Sequence, residues 1–363
     1  MKILYVITSL RTGGAEKLVV ELTCWFREKG HSVDVALFDG IQTDFMQDLE
    51  KTGCKIYRFS TNGSFYSPYY PRRIFQLARV MNDYDIVHTH NTSPQFFAAI
   101  AHLFRRKPLL VTTEHNTTND RRNKKWFLPL DRWMYNRYRK VICISDKAYD
   151  NLVSYLKQTK ADILTIKNGV NLKTFRQASP IEGFKKEGIF AIVMVAAFRP
   201  QKDQGTLIKA MAHLPLDCHL FLAGEGETWP GLEELSKTLG VEERVHFLGL
   251  RKDVPQILKS SDVVVMSSHY EGLSLSSIEG MAVDKPFVAS DVDGLHEIVE
   301  GAGILVPHQD EKALAEVLLK LKEDSALRAS VAASCMERAS QYDFSKMAEA
   351  YLKVYSDILG EKK

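Results

Sequence analysis

Two glutamates eight positions apart, Glu271 and Glu279, enclose the otherwise uncharged stretch "EGLSLSSIEG". One interpretation is structural, because Ser276 and Glu279 have the S-x-x-E spacing of a helix capping box ahead of apolar residues 281–283. The other is chemical. A rotation of about 100° per residue does not bring positions eight apart onto one face of a helix. Each carboxylate would then bind a different part of one ligand.

The residues between the two glutamates favour a negatively charged group in that ligand. Backbone N–H groups at the start of the predicted helix would lie between the carboxylates, and helix N-termini bind phosphate. The residues that supply these groups are Gly272, Leu273, Ser274 and Leu275. Carboxylates on both sides of an anion site are useful if each binds hydroxyl groups, as on a ribose and on a sugar.

Two cations and a glycine pair could also contact an anion. Arg199 and Lys202 follow a predicted strand in "AAFRPQKDQG", where they could neutralise a pyrophosphate as it departs. Gly13 and Gly14 begin a predicted helix and would let the backbone approach phosphate. The alternatives are a solvated basic turn and a simple tight turn. Neither G-x-G-x-x-G nor a P-loop GK[ST] is present at these positions.

Histidines and cysteines do not indicate a metal site. His88 and His90 share one face of a predicted strand in "VHTHN", but no acidic residue or cysteine stands at ligand spacing beside them. The five cysteines are scattered without a C-x-x-C pair, which is typical of reduced thiols. We therefore predict no metal site at these histidines and cysteines, and we expect no cofactor.

Charge is distributed unevenly along the chain. Residues 1–183 hold 28 Lys/Arg against 17 Asp/Glu, a balance of +11, whereas the overall charge is +3. Within the first half, residues 121–140 combine eight basic residues and one aspartate with Trp126, Phe127, Trp133 and Tyr138. Such a helix suits an anionic membrane surface or a lipid-diphosphate acceptor; the alternative is a core helix with a solvated basic face. No nucleic-acid recognition module accompanies it.

The elements that must position these residues alternate between strand and helix. Near-continuous apolar runs such as "FAIVMVAA" and "SDVVVMSS" are typical of strands buried on both faces of a parallel sheet. We predict an α/β, doubly wound architecture. The strand candidates are residues 3–7, 33–38, 86–88, 109–112, 141–144, 163–166, 192–196, 219–223, 245–248, 263–266, 286–289 and 304–306.

The alternation is interrupted once, by the polar stretch 171–188. We therefore predict a first Rossmann-like domain over 1–171, a linker over 172–188 and a second Rossmann-like domain over 189–341. Residues 342–363 are predicted to form an amphipathic C-terminal helix. Two such domains would place a cleft between the carboxyl ends of their sheets, where ligands of open α/β sheets bind.

The chain resembles the retaining, GT-B-fold glycosyltransferases of family 4 along nearly its whole length. The resemblance rests on ordered fragments, among them "TGGAEKLVVEL", "DIVHTHN", "FLAGEGE" and "EGLSLSSIEGMAVDKPFVASDVDGLHEIV". The E-x(7)-E pair of Glu271 and Glu279 is the most specific of them.

The resemblance implies a role for each candidate residue. Glu271 would bind hydroxyls of the transferred sugar and Glu279 the ribose of the nucleotide, while Lys202 with Arg199 would hold the diphosphate. The backbone at Leu250 and Arg251 would face the base. His115, in "TTEHNTT", would lie near the reacting centre, and Gly13 and Gly14 would touch the diphosphate from the other domain. The C-terminal helix would return to the first domain.

Two departures from the family pattern are visible. The phosphate arginine usually stands where this chain has Ala197, so that Arg199 would have to substitute for it, and Asp284 replaces a usual glycine.

The resemblance predicts a metal-independent hexosyltransferase with a nucleotide-sugar donor, UDP-sugar favoured, and a glycan or lipid-linked acceptor. No apolar run approaches the roughly 18 residues that span a bilayer, so we expect a cytoplasmic protein, peripheral on the inner membrane face if residues 121–140 bind lipid. Two alternatives remain open: a GT-B-like sugar-nucleotide epimerase, and a catalytically silent subunit that binds a partner. The acceptor would depend on loops such as residues 61–73, which no motif explains.

Overall fold

A computed structural model describes residues 1–11, 13–61, 70–115, 122 and 124–361, with the side chain of Lys125 left out. The chain forms two compact units. The first comprises residues 1–167 and 347–363, and the second residues 168–346.

The first unit is a seven-stranded parallel sheet with helices between its strands. Its strand order is β3-β2-β1-β4-β5-β6-β7. In β1, residues 3–7 are all fully buried, which explains why this strand has no polar alternation. The strands are β1 (Lys2–Ile7), β2 (Ser32–Leu37), β3 (Ile56–Arg58), β4 (Ile86–His90), β5 (Leu109–Glu114), β6 (Lys140–Cys143) and β7 (Asp162–Thr165).

The helices of this unit begin and end at residues that suit those positions. Ser145 caps α6 by accepting a bond of 3.2 Å from the backbone N–H of Ala148. Gly30, with φ 81°, follows the end of α1 in the left-handed conformation that favours glycine. The helices are α1 (Gly14–Glu28), α2 (Asp44–Lys51), α3 (Arg72–Val80), α4 (Thr92–Ala101), α5 (Leu128–Tyr135) and α6 (Asp146–Leu156).

The second unit repeats this architecture with six parallel strands in the order β10-β9-β8-β11-β12-β13. Buried aliphatic side chains of the strands and helices form one continuous core. The strands are β8 (Phe190–Val195), β9 (Cys218–Ala223), β10 (Val245–Gly249), β11 (Val263–Met266), β12 (Phe287–Ser290) and β13 (Ile304–Val306). The helices are α7 (Leu172–Arg176), α8 (Gln204–Met211), α9 (Trp229–Thr238), α10 (Val254–Ser260), α11 (Leu275–Met281), α12 (His296–Val299), α13 (Glu311–Glu323) and α14 (Ser325–Ser340).

The C-terminal helix α15 (Phe344–Gly360) belongs to the first unit from Met347 onward. Tyr351 and Tyr355 are fully buried there. The hydroxyl of Tyr355 lies 2.5 Å from Nδ1 of His88 and 3.2 Å from the hydroxyl of Tyr5. Helix α15 thus packs against the first sheet, whose strands come from a distant part of the sequence.

The predicted α/β doubly wound class is confirmed, and every strand candidate matches a strand to within a few residues. The short edge strand β3 was not predicted. The boundary between the two units also differs from the prediction. Residues 172–188, predicted as a linker, belong to the second unit. Leu172 and Phe175 of α7 are buried in its core, and Ile181 and Phe184 pack against it.

Candidate functional site

The second sheet has a topological switch point between β8 and β11. From β8 the chain continues to β9 on one side, whereas β11 pairs with β8 on the other, with Val263 opposite Ile192. Ligands of open α/β sheets bind at the carboxyl ends of the strands at such a point. The loops that leave β8 and β11 carry Lys202 and Glu271 respectively.

Lys202 and Glu271 form an ion pair at this switch point. Nζ of Lys202 lies 2.6 Å from Oε1 of Glu271, and the Ser268 hydroxyl donates to the same oxygen at 2.6 Å. The two charged side chains are only 17% and 7% exposed. An ion pair this shielded from water is costly to break by removing one partner. Either side chain can give up its partner at low cost only if another charged group takes that partner's place.

The two loops are also joined through their backbones. The Ser267 hydroxyl donates to the carbonyl of Asp203 at 2.8 Å. The N–H of His269 donates to the carbonyl of Gln201 at 2.8 Å, and the Gln201 amide returns a bond of 2.8 Å to the carbonyl of Tyr270. Lys202 and Glu271 are therefore held by one hydrogen-bonded assembly.

Gly294 supports the Glu271 loop from behind. The Glu271 N–H donates to the carbonyl of Asp293 at 3.0 Å. A Cβ at Gly294, where φ is 83°, would lie 2.3 Å from the carbonyl oxygens of both Glu271 and Gly272. Only glycine permits this approach.

The helix after Glu271 begins differently from the capping-box interpretation. The N-cap of α11 is Ser274, whose hydroxyl accepts from the N–H of Ser277 at 3.4 Å. Ser276 lies inside the helix, so Glu279 is not at the third position of a capping box and that interpretation is wrong. Glu279 instead lies on the second turn of α11.

The backbone ahead of α11 offers hydrogen-bond donors. The N–H groups of Leu273, Ser274 and Leu275 donate no backbone hydrogen bond to any residue that the structure describes. Gly272, which precedes them, is exposed. These groups are the orphan donors of a helix start and are available to an anion.

A cavity of about 220 Å³ opens beside the loop that follows β8. Leu250 and Arg251 line it, as do residues 195–197 and 223–225. The loops that follow β8 and β9 approach closely because Gly224 lacks a side chain. A Cβ at Gly224 would lie 2.0 Å from the carbonyl oxygen of Ala196. Leu250 is 73% exposed and gives the cavity rim an apolar surface that a planar base could cover.

Arg199 is not brought into the Lys202–Glu271 pair. Its side chain is exposed and makes no hydrogen bond or ion pair with the described residues. Arg251 forms a two-point ion pair with Asp253 at 2.8 and 2.5 Å. Of the predicted donor-site cations, Lys202 is therefore the one that contacts a predicted acidic site residue, Glu271.

In the first unit, the predicted glycine pair begins helix α1. Gly13 is the N-cap, with extended backbone, and Gly14 is the first helical residue. The Glu16 carboxylate folds over them, since a Cβ at Gly13 would meet its Oε2 at 2.2 Å. Burial raises the pKa of Glu16. An anion that approached this helix start would have to displace Glu16 or meet it protonated.

His115 directly follows β5, is partly buried, and belongs to a cluster with the fully buried His88 and His90. Its Nε2 lies 2.8 Å from Nδ1 of His90, whose ring stacks on that of His88 with centroids 4.5 Å apart. Both ring nitrogens of His88 are engaged, by Tyr355 and by Thr113. Burial lowers the pKa of His115 to about 4 and that of the other two histidines well below 6.5. All three are uncharged at neutral pH.

The basic-aromatic segment is not one helix, which corrects that expectation. Arg121 and Asn123 lie outside the described residues; the rest forms a 3-10 turn, helix α5 and the start of β6. Most of its cations have partners inside the first unit, such as Glu114 for Arg122 at 2.7 Å. Trp126 remains 70% exposed and stacks on Phe127. The proposed acceptor loop is described only in part, because residues 62–69 lie outside the described ranges.

The sequence analysis missed several residues that the fold brings to the candidate site or close to it. Ser268 and Gly294 have no motif signal, since their roles depend on loops that meet only in the fold. Glu16 had a signal, because G-x-x-E places a glutamate at the third position of a helix whose N-cap is Gly13. A cluster of Asp203, His269 and His308 was also missed, and its residues are far apart in the sequence.

The chain is similar to known proteins along most of its length. Residues 12–174 match the model of "Glycosyltransferase Family 4", and residues 175–337 match that of "Glycosyl transferases group 1". The phosphatidyl-myo-inositol mannosyltransferase of Mycolicibacterium smegmatis is 26% identical, over 96% of this chain and 91% of its own length. The UDP-Gal:alpha-D-GlcNAc-diphosphoundecaprenol alpha-1,3-galactosyltransferase of Escherichia coli is 26% identical over 77% of each chain.

Solved structures share the fold. The Anabaena protein Alr3699/HepE in complex with UDP matches with a TM-score of 0.82 at 23% identity, over 98% of this chain and all of its own. A glycosyltransferase from Rickettsia africae gives the same TM-score at 18% identity, over 99% of this chain and 98% of its own. These matches confirm the GT-B architecture.

Proposed function

The chain belongs to the family 4, group 1 glycosyltransferases, and on that basis we propose that it transfers a hexose from a UDP-sugar to a glycan or lipid-linked acceptor with retention of configuration. The observation that carries the proposal is the shielded Lys202–Glu271 pair at the switch point of the second sheet. The epimerase and silent-subunit alternatives are not favoured, since the relatives named above are transferases.

The donor and acceptor classes are supported by the relatives. The Escherichia coli enzyme is named for UDP-Gal and a diphosphoundecaprenol-linked sugar, and the Mycolicibacterium enzyme for phosphatidyl-myo-inositol. The Anabaena protein has been solved with UDP and also with UDP-glucose. A UDP-sugar donor and an acceptor that carries lipid and phosphate are therefore the proposed substrates.

The Lys202–Glu271 pair suggests how the donor is bound. A diphosphate near Lys202 would compete with Glu271 for its ammonium group. Among the described residues, the side-chain hydrogen bonds of Glu271 all go to Oε1. When Lys202 turns to the diphosphate, the carboxylate is free to accept sugar hydroxyl groups. The ion pair would thus hold both charged groups in place until the donor replaces it.

Catalysis would come from stabilising the departing nucleoside diphosphate. Its developing negative charge would be met by Lys202 and by the N–H groups ahead of α11, in a site with little water. Glu279 would bind the ribose, and the cavity rim at Leu250 and Arg251 would hold the base. His115, uncharged at neutral pH, would contribute a polar contact near the reacting centre. We propose that this positive charge is sufficient, so that transfer needs no metal ion.

Peripheral attachment to a membrane surface is a further part of the proposal. None of the helices that the structure describes could span a bilayer. Trp126, 70% exposed in the basic first half of the chain, is the anchor that we propose. An enzyme acting on lipid-linked acceptors would work on the inner face of the cytoplasmic membrane.

Thermal unfolding with UDP, GDP and ADP, in the presence of EDTA, tests the donor site. A nucleotide at 100 times its dissociation constant should stabilise the folded protein by about 2.7 kcal/mol. We expect this with UDP and not with GDP or ADP. Lys202→Ala should lose the effect because it removes the cation that meets the diphosphate.

Lys209→Ala is the matched control, because Lys209 is exposed on α8, seven positions further along. It should keep the wild-type response. A UDP response that persists in Lys202→Ala would contradict the proposed role of Lys202, and no response to UDP would contradict the proposed donor. Incubation of a UDP-sugar with and without a lipid-linked acceptor then separates transfer from epimerisation.

A further inference from the structure

Three loops at the carboxyl edge of the second sheet bring together one aspartate and two histidines. Asp203 is the N-cap of α8 after β8, His269 follows β11, and His308 follows β13. Each offers one ligand atom, and these atoms all lie within 4.8 Å of one another. From this cluster we propose a binding site for a transition-metal ion of the Zn²⁺ class.

The ligand atoms lie close together. Nδ1 of His269 lies 2.8 Å from Nε2 of His308 and 3.6 Å from Oδ2 of Asp203. The imidazole rings are nearly perpendicular, at 82°, so their nitrogens meet edge to edge without stacking. Ligand atoms around a tetrahedral Zn²⁺ with bonds of about 2.0–2.1 Å are separated by about 3.3 Å. Binding an ion would require the two nitrogens to separate by about half an ångström.

The protonation of the histidine pair also suits a metal ion. Two imidazole nitrogens 2.8 Å apart share one proton, with one nitrogen donating and the other accepting. A cation can bind between them if the donating ring moves its proton to its other nitrogen, because both facing nitrogens then carry a lone pair. The ion would thus bind the neutral imidazoles that metal sites require.

Asp203 is already oriented as a ligand. Its Oδ1 accepts from the N–H of Thr206 at 3.3 Å and its Oδ2 from the Thr206 hydroxyl at 2.7 Å. A carboxylate has about four lone-pair positions, so Oδ2 can still bind a metal ion. Outer hydrogen bonds of this kind hold a ligand in place. The two hydrogen bonds from Thr206 thus hold the Asp203 carboxylate in place before any ion binds.

The chemistry of the ligands selects the ion. Two imidazoles favour Zn²⁺, Co²⁺, Ni²⁺ or Cu²⁺ over Mg²⁺, which prefers oxygen ligands. Three protein ligands leave one position for water. Lys202 precedes Asp203 and Glu271 is two positions after His269, so the ion would join the loops that carry the proposed donor site. It is not required by the proposed transfer chemistry.

Calorimetric titration of metal-stripped protein with Zn²⁺, Co²⁺ and Mg²⁺ tests the site. We expect one Zn²⁺ or Co²⁺ per chain and no Mg²⁺ binding. His308→Ala and Asp203→Asn should each weaken Zn²⁺ binding more than about tenfold. Asparagine keeps the cap and tolerates the φ of 44° at position 203. His213→Ala, which changes another exposed histidine of this unit, should bind as wild type does.

The visible spectrum of the Co²⁺ complex is a second measurement, since it reports imidazole ligands directly and should change in His308→Ala. His308 is exposed, so this variant should unfold in EDTA at the wild-type temperature. Equal Zn²⁺ affinity in wild type and His308→Ala would overturn the proposal. So would the absence of saturable Zn²⁺ binding, or Mg²⁺ binding as tight as that of Zn²⁺. None of these results depends on donor binding or transfer.

Discussion

At the scale of single residues, the buried histidines make the stability of the first unit depend on pH. His88, His90 and His115 are uncharged in the folded protein because burial lowers the pKa of each. In the unfolded chain each titrates near 6.5, so below that pH the unfolded chain binds protons that the folded protein excludes. Their contribution to stability is complete above pH 6.5 and is lost as the pH falls.

For His115 the loss extends from pH 6.5 to about 4. Urea unfolding at pH 7, 6 and 5 should show the free energy of unfolding falling by up to about 1.4 kcal/mol per pH unit for each such histidine. His115→Gln should reduce that slope, whereas His213→Gln, at an exposed position, should not. A slope unchanged in His115→Gln would show that folding does not lower the pKa of His115.

Part of the candidate site could be predicted from the sequence. Glu271 and Lys202 were predicted from loop positions and resemblance, and the fold does bring them together. The partners that hold them were not predictable. Ser268 acts through a hydrogen bond and Gly294 through two carbonyl contacts, and both depend on distances between loops that no local pattern encodes. The capping-box alternative named the wrong serine as the N-cap of α11, because S-x-x-E also fits a site inside a helix.

At the scale of elements, the position of the β11–α11 loop depends on the loop behind it. Gly294→Ala would place a Cβ 2.3 Å from two carbonyl oxygens and so displace the backbone of Glu271. We expect the transfer rate to fall by about 10²-fold, as misplacements of about 1 Å commonly cause. A positive φ alone also strains alanine by about 1–2 kcal/mol.

Gly183→Ala separates the two effects. Gly183 has a similar φ of 71°, but no atom lies within 4 Å of the position that its Cβ would take. Both variants should lose stability through backbone strain, and only Gly294→Ala should lose the stabilisation by UDP. Equal responses to UDP would mean that Gly294 does not position Glu271.

Elements with long apolar runs were predicted well, because burial on both faces leaves a clear pattern in the sequence. β3 was missed for the opposite reason. It is a three-residue edge strand, and Ile56, Tyr57 and Arg58 are only partly buried or exposed. The polar stretch after Asn171 was interpreted as a linker, yet Leu172 and Phe175 are buried in the second core. Composition alone does not show which apolar residues in a polar segment find a core.

At the scale of the whole molecule, the uneven charge predicts how the protein meets a membrane. Residues 1–183 carry 28 basic against 17 acidic residues. Binding to vesicles that contain anionic lipid should weaken as salt rises, because screening shortens to about 8 Å at physiological ionic strength. Co-sedimentation at several salt concentrations measures this.

Trp126→Ala should weaken vesicle binding further by removing an exposed aromatic anchor. Leu216→Ala is the control, since Leu216 is also an exposed apolar residue but lies in the acidic second unit. Vesicle binding that changes neither with salt concentration nor in Trp126→Ala would argue against attachment through the first unit.

The placement of α15 has a consequence for synthesis on the ribosome. His88 and Tyr355, which share a buried hydrogen bond, are 267 positions apart in the chain. The second unit lies wholly between them and can form its core as soon as it has emerged. The sheet of the first unit is translated before the second unit, but it must wait for α15, which is translated after that unit. Until then His88 lacks the Tyr355 hydroxyl. The first unit is therefore the later of the two to mature and the one that most needs protection while translation proceeds.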